Sequence, residues 1–370
     1  MVTSHSKLEV GIEACGCLTA LGDETQTAEA LNAGVIGLKP VPVLGSDGGD
    51  LVPIALCSDW RERIPPRWFA SADSLRSRIP VAPWGDPGFP VFLSSSNFGV
   101  GNLLAYCRGG SEAHLAYATP GDCVESLCDS FGWGPDRTIV SHACVSSLVA
   151  LELARRSIEH GGAEQAIVFS FDFVSPFVAG GFHALKILNP LFPAPYEDRK
   201  EGSIGLGDGA AFAVLSRKPQ ENLVSPAFLY NEMWHFTGNQ PEGEGFRALE
   251  PWLRQTVGER KVWIKGHGTG TLEAGRLEAE SLAELCPQAP LVSWKGSLGH
   301  TLGSCGLVEL AVALAAVDRG VVPPTVGLSG SAFAPNVATD SFDAQPFDGL
   351  LLLANAFGGA HAAILVAHGD

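Results

Sequence analysis

The sequence predicts an α/β protein of five layers, α/β/α/β/α, built from two pseudo-equivalent halves. In each half a strand leads through a turn into a helix that starts with Gly, Ser and Ala and continues apolar, over residues 138–160 and 291–320. Helices that are apolar all round must be covered on every side, which places them between sheets. The length of 370 residues also favours two domains or two fused halves. We expect the halves to span residues 1–220 and 221–370.

The first half opens with a regular β-α unit. Residues 8–39 predict a strand, a Gly-containing turn, and a helix from about Glu24 to Asn32. Residues 40–90 are rich in Pro, Gly and Asp and predict an irregular surface excursion. A strand and the start of a helix are expected over residues 91–104, and another helix over residues 122–133.

The central segment of the first half places a cysteine between a strand and a helix. An apolar run from Thr138 reaches Cys144 at a turn, and a small-residue helix then continues to about His160. A strand follows from Ala166 to Phe171. A thiol at the start of a helix lies near the positive end of the helix dipole and near unpaired N–H groups, which favour the thiolate. This position predicts a nucleophilic cysteine, with a buried structural cysteine as the alternative.

An irregular stretch rich in Pro and Gly follows this segment and predicts a long active-site or interface loop. Four glycines between Gly202 and Gly209 precede a strand from Ala210 to Leu215. So many glycines indicate backbone that another element approaches closely. A nucleotide-binding loop is not expected, because no Lys-Ser or Lys-Thr pair follows and the next element is a strand.

The second half repeats the pattern and supplies two histidines. Strands are expected over residues 262–266 and 291–295, helices over residues 273–286 and 302–320, and two strands near the C-terminus. His267 follows the first of these strands, and His300 lies in the turn before the second helix. Glycine near each ring lets the backbone turn sharply. Together with Cys144, these histidines predict a catalytic group.

Composition narrows the classes of function. The net charge of −16 argues against a nucleic-acid-binding protein. No apolar run reaches the roughly 18 residues of a membrane span, and the first residues lack a basic region followed by an apolar core, so we expect a cytoplasmic protein. The nine cysteines are scattered and odd in number, which predicts reduced thiols. A metal site is not expected, because Cys15-x-Cys17 has no second ligand pair nearby.

One cluster of arginines stands out in this acidic chain. Arg61, Arg63 and Arg67 lie close together within residues 58–80. They form a candidate docking patch for an acidic partner, while a solvated, ion-paired surface is the alternative interpretation.

Five segments resemble the main motifs of the β-ketoacyl-ACP synthases of the Cys-His-His type, members of the thiolase superfamily. In family order and with near-family spacing, they are HACVSSL (142–148), DRKEGSIGLGDGAAFAVL (198–215), GHGTGTLEAGRLEAE (266–280), KGSLGHTLGSCGLVEL (295–310) and NAFGGAHAA (355–363). The resemblance covers essentially the whole chain and implies the thiolase fold.

The resemblance also implies roles for individual residues. Cys144 matches the acyl-accepting nucleophile, and His267 and His300 match the two histidines. Lys295 matches the lysine that orders the second-histidine loop, and Glu278 matches the acidic residue that pairs with it. Phe357 matches the gating phenylalanine, with Gly358 and Gly359 behind it.

The implied reaction is a decarboxylative Claisen condensation in fatty acid or polyketide/polyene biosynthesis. An acyl group moves to Cys144, malonyl-ACP loses CO₂, and the carbanion attacks the acyl-cysteine. The two histidines act as neutral donors, and a Lys295 cation would keep the pKa of His300 low. No bound cofactor or metal is expected, because the substrates are carried on the 4'-phosphopantetheine of acyl carrier protein.

Some features depart from the family pattern and leave alternatives open. The usual Asp-Thr-Ala-Cys is Ser-His-Ala-Cys here, with His142 expected in the wall of the site. The loop after Phe357 is two residues short, and the chain is shorter than typical members, similar to subunits of type II polyketide or aryl-polyene systems. It could form a homodimer, or a heterodimer as a chain-length-determining partner of little activity, although the presence of Cys144 favours condensation. A degradative thiolase would need a second cysteine after Cys305, which this chain lacks.

Overall fold

The computed structural model describes residues 9–44, 49–59, 63–80, 84–218 and 220–368. The helices are α1 (Glu24–Asn32), α2 (Arg67–Arg76), α3 (Val100–Cys107), α4 (Pro120–Phe131), α5 (Ser146–Glu159), α6 (Pro176–Ala184), α7 (Glu244–Thr256), α8 (Leu272–Leu285), α9 (Lys295–Leu298) and α10 (Cys305–Asp318). Two short 3-10 helices cover Glu112–Tyr117 and Leu302–Ser304. Within the described ranges, no helix is both long and apolar enough to span a membrane.

The strands are β1 (Gly11–Thr19), β2 (Gly22–Asp23), β3 (Lys39–Pro42), β4 (Leu51–Ala55), β5 (Val91–Ser94), β6 (Arg137–Val140), β7 (Gln165–Asp172), β8 (Leu206–Gly207), β9 (Gly209–Ser216), β10 (Asn222–Val224), β11 (Phe228–Asn231), β12 (Val262–Lys265), β13 (Leu291–Val292), β14 (Val321–Val322), β15 (Phe342–Asp343), β16 (Gly349–Ala356) and β17 (Ala360–His368).

The main sheet repeats one strand order in its two halves. In the first half, β6, β5 and β7 run parallel, and β9 and β1 continue antiparallel. In the second half, β13, β12 and β16 run parallel, and β17 and β11 continue antiparallel. The strand β10 pairs with β1 and with β17 and so joins the halves into one sheet. The fold is therefore built from two pseudo-equivalent halves. The boundary at residue 220 stays a prediction, because β10 contacts both of them.

Helices α5 and α10 form the central layer. They contact each other, α10 contacts β1, β9 and β16, and α5 contacts β5, β7 and β17. Every residue from Cys305 to Ala316 of α10 is buried. The helix α5 is less apolar than expected, because it carries the ion pair Glu152–Arg155 and exposes Leu153.

Two outer layers complete the five. Trp68 of α2 and Leu127 of α4 pack with Phe169 and Phe212 on the outer face of the first half. On the outer face of the second half, α7 and α8 cover β12 and β16 through a similar apolar cluster. Apolar residues on one stripe of each helix produce this arrangement, since a helix with one apolar face buries that face against a sheet.

The prediction for residues 40–90 is wrong in one respect. This region contains the paired strands β3 and β4 and the packed helix α2, so it is not an irregular excursion. The apolar spacing of Trp68, Ala72 and Leu75 is typical of a helix with one buried face. The surrounding prolines and the dense charges obscured that short pattern. The predicted 291–295 strand is also shorter, because the chain turns into α9 after Ser293.

The α2 helix begins with a buried ion pair that replaces an expected surface contact. Arg67 is 4% exposed, and its Nη1 and Nη2 lie 2.8 and 3.2 Å from the two carboxylate oxygens of Asp208. The carboxylate also accepts the N–H groups of Val174 and Cys57. The predicted docking role of Arg67 is therefore wrong, because its guanidinium is enclosed and its charge is already neutralised.

This pair gives a prediction about stability. The Arg67→Met substitution leaves the buried Asp208 carboxylate without a cation, so we expect the free energy of unfolding to fall by about 3–5 kcal/mol. Denaturant titration of the variant measures the loss. The double variant Arg67→Met/Asp208→Asn should recover part of the loss, because it removes the uncompensated charge.

The matched control is Arg63→Met, because Arg63 is 60% exposed at its side chain and its pair with Asp59 faces water. We expect a loss under about 1 kcal/mol there. Equal effects at positions 63 and 67 would contradict the assignment of Arg67 to the interior.

Candidate active site

The turn between β6 and α5 presents the Cys144 thiol. Ala143 adopts a left-handed conformation with φ of 45°, which is rare for residues other than glycine. The hydroxyl of Ser146 accepts the His142 N–H and donates to the Ala143 carbonyl, both at 2.7 Å. These bonds close the turn immediately before α5 begins. The ring of His142 is exposed, so its predicted place in the wall of the site is not supported.

The loop after β12 carries His267, and its backbone hydrogen-bonds to a buried carboxylate. Both backbone N–H groups of His267 and Gly268 donate to the Glu278 carboxylate, at 2.6 and 2.8 Å. Gly266 and Gly268 lie against Tyr196, and a Cβ on Gly266 would come within 2.2 Å of the Tyr196 hydroxyl. Glycine is therefore required beside the ring, because the loop passes too close to Tyr196 for a side chain.

The His300 turn is clamped by the glycine-rich segment that the sequence singled out. The His300 N–H donates to the Gly205 carbonyl at 2.7 Å, and the Gly207 N–H donates to the His300 carbonyl at 3.0 Å. A Cβ on Gly207 would lie 2.0 Å from the Leu298 carbonyl oxygen. The expectation of a close approach at these glycines is confirmed, and the approaching element is the loop of the second histidine.

The three side chains converge from separate loops. The Nε2 atom of His300 lies 3.0 Å from the Cys144 Sγ. The rings of His267 and His300 have centroids 5.0 Å apart and are nearly perpendicular, at 89°. One nitrogen from each ring and the sulfur all lie within 4.8 Å of one another. A single reacting group could therefore touch all three.

Burial decides the charge state of the histidines. It holds the pKa of both rings well below the ordinary histidine value, and the nearby Lys295 ammonium lowers each pKa further. Both rings are therefore neutral at neutral pH and can donate a hydrogen bond from one nitrogen.

The protonation state of the Cys144 thiol differs from the sequence prediction. Burial raises the pKa of Cys144 above its ordinary value, and only Lys295 and the Phe357 backbone N–H act in the opposite direction. The expectation that the start of α5 favours a thiolate is therefore wrong. Desolvation is the largest effect on this group, so the resting group is a thiol hydrogen-bonded to His300.

The predicted pairing of Lys295 with Glu278 is also wrong. The Lys295 Nζ lies 2.6 Å from the Glu309 carboxylate, and Glu278 instead holds the His267 loop. The partner of Lys295 had a signal in the sequence, because Glu309 is the single charged residue of an apolar helical run from Gly306 to Val317. A charge in a fully buried helix requires an opposite charge nearby.

The loop after β16 covers the site. Gly358 and Gly359 both have left-handed conformations, with φ of 85° and 75°, which lets Phe357 turn back over the thiol. The Phe357 N–H hydrogen-bonds to the Cys144 sulfur, and the Phe357 ring stacks on Phe182 at 5.8 Å. These contacts place the loop beside the cysteine, while the gating role of Phe357 stays a prediction.

A neighbouring segment, residues 232–240, is tied to this loop. The Gly358 N–H donates to the Phe236 carbonyl, and the Glu232 N–H donates to the Gly359 carbonyl. The buried His361 ring lies 2.8 Å from the Glu232 carboxylate and 2.9 Å from Asn355. Any movement of Phe357 therefore involves this segment, which exposes Trp234 and Phe236 to solvent.

A cavity of about 540 Å³ opens above these groups. Its floor contains Cys144, His267 and His300, and its walls include Phe182, Ile204 and Phe357. The volume lies within the range of small-molecule sites, and the walls near the thiol are apolar. The cavity can therefore hold an acyl chain against the sulfur.

The same three groups are also close enough to share a metal ion. Histidines that bind metals usually donate their other N–H to a carboxylate or carbonyl, which fixes the ring. Among the residues that the structure describes, the Nδ1 atoms of His267 and His300 have no hydrogen-bond partner. The arrangement thus fits a proton-sharing group better than a metal centre.

The structure describes two of the three predicted docking arginines, and these two differ in exposure. Arg61 lies outside the described residues. Arg63 is exposed and forms a 3.5 Å pair with Asp59, so it can meet a partner. Arg67 is buried, as described above.

Comparisons with known proteins point to one family. Two family profiles match the chain, "Beta-ketoacyl synthase, N-terminal domain" at residues 130–221 and "Beta-ketoacyl synthase, C-terminal domain" at residues 237–329. These matches, 92 and 93 residues long, together span half of the chain.

One similar curated protein is the tetracenomycin polyketide synthase ketoacyl synthase alpha subunit of Streptomyces glaucescens. The two are 30% identical over 277 residues, which cover 65% of this chain and 63% of that protein. The chain thus spans less than two thirds of the length of this relative.

Solved structures share the fold over the whole chain. The ketosynthase ApeO in complex with its chain length factor ApeC, from Xenorhabdus doucetiae, superposes with a TM-score of 0.83 at 22% identity and covers 100% of both chains. A complex of type II polyketide synthase acyl carrier protein with its hexaketide-bound ketosynthase, AntDE:AntF, gives a TM-score of 0.84 at 17% identity, covering 99% of this chain and 100% of that one.

The buried histidines give a second prediction. In Cys144→Ala protein, NMR titration should show the rings of His267 and His300 taking up protons only well below the ordinary histidine range, because burial and Lys295 oppose protonation. The exposed ring of His160 provides the comparison within the same spectra. A ring pKa above about 7 for either residue would contradict this account.

Proposed function

The chain belongs to the beta-ketoacyl synthase family, and from this premise we propose that it is an acyltransferase that condenses an acyl thioester with malonyl-ACP. One observation carries the proposal: the Cys144 sulfur, the two neutral histidines and the Phe357 N–H surround one apolar cavity. The product would be a β-ketoacyl-ACP two carbons longer, in fatty acid or polyketide/polyene biosynthesis.

In the first stage, Cys144 takes the acyl group. Its sulfur attacks the thioester carbon, and the thiol proton must leave as the new C–S bond forms. The His300 Nε2, 3.0 Å away, is placed to pass this proton to the departing pantetheine sulfur. The N–H groups of Cys144 and Phe357 are the donors proposed for the tetrahedral oxyanion.

In the second stage, the histidines act as hydrogen-bond donors. Malonyl-ACP loses CO₂, and the electron pair of the broken C–C bond becomes an enolate. Neutral His267 and His300 would donate to the enolate oxygen, which stabilises the developing charge in a dry site. The carbanion then attacks the acyl carbon on Cys144, and the C–S bond breaks. The sulfur leaves as a thiolate and takes up a proton from water, which restores the thiol.

The substrates are proposed to arrive on the 4'-phosphopantetheine of an acyl carrier protein. The arm can enter the cavity beside Phe357, whose ring is 37% exposed. The exposed Arg63, together with Arg61, is the proposed contact with this acidic partner. The chemistry proposed here uses only side chains and backbone of the chain, so no bound cofactor is assigned to it.

A second ketosynthase subunit is the other proposed partner. The strand β6 ends the main sheet with β5 as its neighbour, which leaves an edge for pairing with another chain. Apolar side chains are exposed on α3, on the 112–117 3-10 helix, and on α6 and at its C-terminal end: Leu103, Tyr106, Leu115, Phe177 and Leu185. The helix α3 contacts the other two helices. Such a surface favours a homodimer or a heterodimer.

A chain-length-determining partner subunit with little activity is the second candidate function. It is favoured by the likeness to complexes of a ketosynthase with its chain length factor. The complete Cys144, His267 and His300 group favours the condensing role over this one.

We also propose a cytoplasmic location. All nine cysteines are free thiols, and reduced cysteines are typical of the cytosol.

Mass spectrometry with acyl-ACP and then malonyl-ACP tests the condensing function. We expect the acyl mass on the Cys144 peptide, followed by a β-ketoacyl product. The Cys144→Ala variant should lose both, because it lacks the sulfur nucleophile. The His267→Ala variant should keep acylation and lose condensation by at least about 100-fold, because it lacks one enolate donor.

The alternatives give different results in this experiment. Acylation without product, rescued only by a second ketosynthase, would assign the partner role. No acylation by any chain length of acyl-ACP would overturn both functions.

The docking of the carrier protein gives a further prediction. At low salt, Arg63→Glu should weaken association with acyl carrier protein by roughly tenfold, and added salt should reduce the difference. The control is Arg319→Glu, because Arg319 is similarly exposed but lies about 20 Å along α10 from the site. Equal affinities for both variants would show that Arg63 is ordinary surface.

A further inference from the structure

A second buried lysine lies under the site, and the sequence motifs did not reveal it. Lys265, the last residue of β12, is 0% exposed. Its Nζ lies 2.9 Å from the Glu309 oxygen that also pairs with Lys295. It also donates to the Gly266 carbonyl at 2.7 Å, directly before His267.

Lys265 also reaches the loop of the second histidine. Its ammonium stands 5.6 Å from the centre of the Trp294 ring, the residue before Lys295. Lys265 therefore contacts the base of both histidine loops as well as α10. No part of the condensing mechanism described above uses it.

Lys265 is one of four buried charged groups beneath the histidine loops. Lys295 and Glu309 form a pair, and Lys265 adds a second ammonium to the same carboxylate oxygen. The other oxygen of Glu309 has no hydrogen-bond partner among the described residues. Glu278, which faces Lys295 from α8, adds a second carboxylate, so two ammonium groups balance two carboxylates in a fully buried place, where charges interact strongly.

The charge balance depends on Lys265. Cys305 faces Lys265 from α10, and burial raises the pKa of this thiol to about 12, so it stays uncharged at neutral pH. The Glu278 carboxylate keeps its negative charge while it accepts the backbone N–H groups of His267 and Gly268. Without Lys265, two carboxylates would face one ammonium beneath the histidine loops, and an uncompensated buried charge is costly.

We propose that Lys265 is a positioning residue that acts through His267 and His300: its ammonium, which balances the second buried carboxylate, keeps both rings neutral and favours the negative charge that develops during decarboxylation. The inference rests on the proposed condensing function and adds a residue to it. Lys295 cannot supply the whole effect, because Glu309 and Glu278 together carry two negative charges.

The titration behaviour agrees with the geometry. After burial and Lys295, Lys265 also lowers the pKa of both histidines. Burial lowers the pKa of Lys265 itself to about 8. The Lys265 charge is therefore present below about pH 8 and is lost as the pH rises through that value.

The experiment compares CO₂ release from malonyl-ACP between about pH 6 and about pH 10 for three proteins. The wild-type rate should fall as the pH rises through about 8. Lys265→Met should be slower by roughly tenfold at neutral pH and show no fall near pH 8. Lys265→Arg should keep the rate and lose the fall, because arginine stays charged.

The control is Lys261→Met, because Lys261 is exposed just before β12 and should leave both the rate and the profile unchanged. Wild-type rate and profile in Lys265→Met would overturn the inference. A fall in rate without a change in the pH profile would also overturn it, since that result indicates a merely structural role.

Histidine titration separates this inference from the proposed function. In the Cys144→Ala background, Lys265→Met should raise the pKa of His267 and His300, and Lys261→Met should not. This readout needs no turnover, so it tests Lys265 even if the protein fails to release CO₂. Unchanged ring pKa values would overturn the role of Lys265 and leave the condensing function standing.

Discussion

The complete burial of α10 is the constraint on which the rest of the structure depends. This helix lies between the two halves of the sheet and contacts α5 beside it. Its first residues follow the His300 turn, just as α5 follows the Cys144 turn. Because α10 is enclosed and most residues of α5 are buried, neither loop can shift without disturbing the core. The 3.0 Å contact between Cys144 and His300 is therefore set by core packing.

A charged residue inside this helix produces the electrostatics of the site. Glu309 requires positive partners, and the two lysines that it attracts lie under the histidine loops. Buried ion pairs of this kind contribute little net stability, because desolvation offsets the attraction. Their effect is on charge: the lysines lower the pKa of both rings, which stay neutral, and an anion formed in the cavity lies near two ammonium groups. Burial keeps the resting thiol protonated, although Lys295 lowers its pKa. The proposed acyl-transfer and decarboxylation stages would both benefit from nearby positive charge.

Access to the site depends on a different kind of structure. The Phe357 loop relies on two left-handed glycines, and it is tied by backbone hydrogen bonds to a surface segment, residues 232–240. One side of this assembly faces the thiol, and the other exposes aromatic side chains to solvent. A packed core thus positions the site residues, while the cover is built from loops with exposed aromatic side chains.

The two halves and the positions of most helices and strands could be predicted from the sequence alone. The same is true of the choice of Cys144, His267 and His300 as candidate site residues. These follow from local signals: apolar periodicity, glycines at sharp turns and short motifs. Only the folded chain shows which charged side chains form pairs. Glu309 pairs with Lys295, Asp208 pairs with Arg67 from 141 residues away, and Lys265 joins the buried cluster. The tertiary structure also decided that the thiol is protonated, because desolvation depends on what surrounds a group in space. Pairing and burial arise between residues distant in the chain, so no local pattern encodes them.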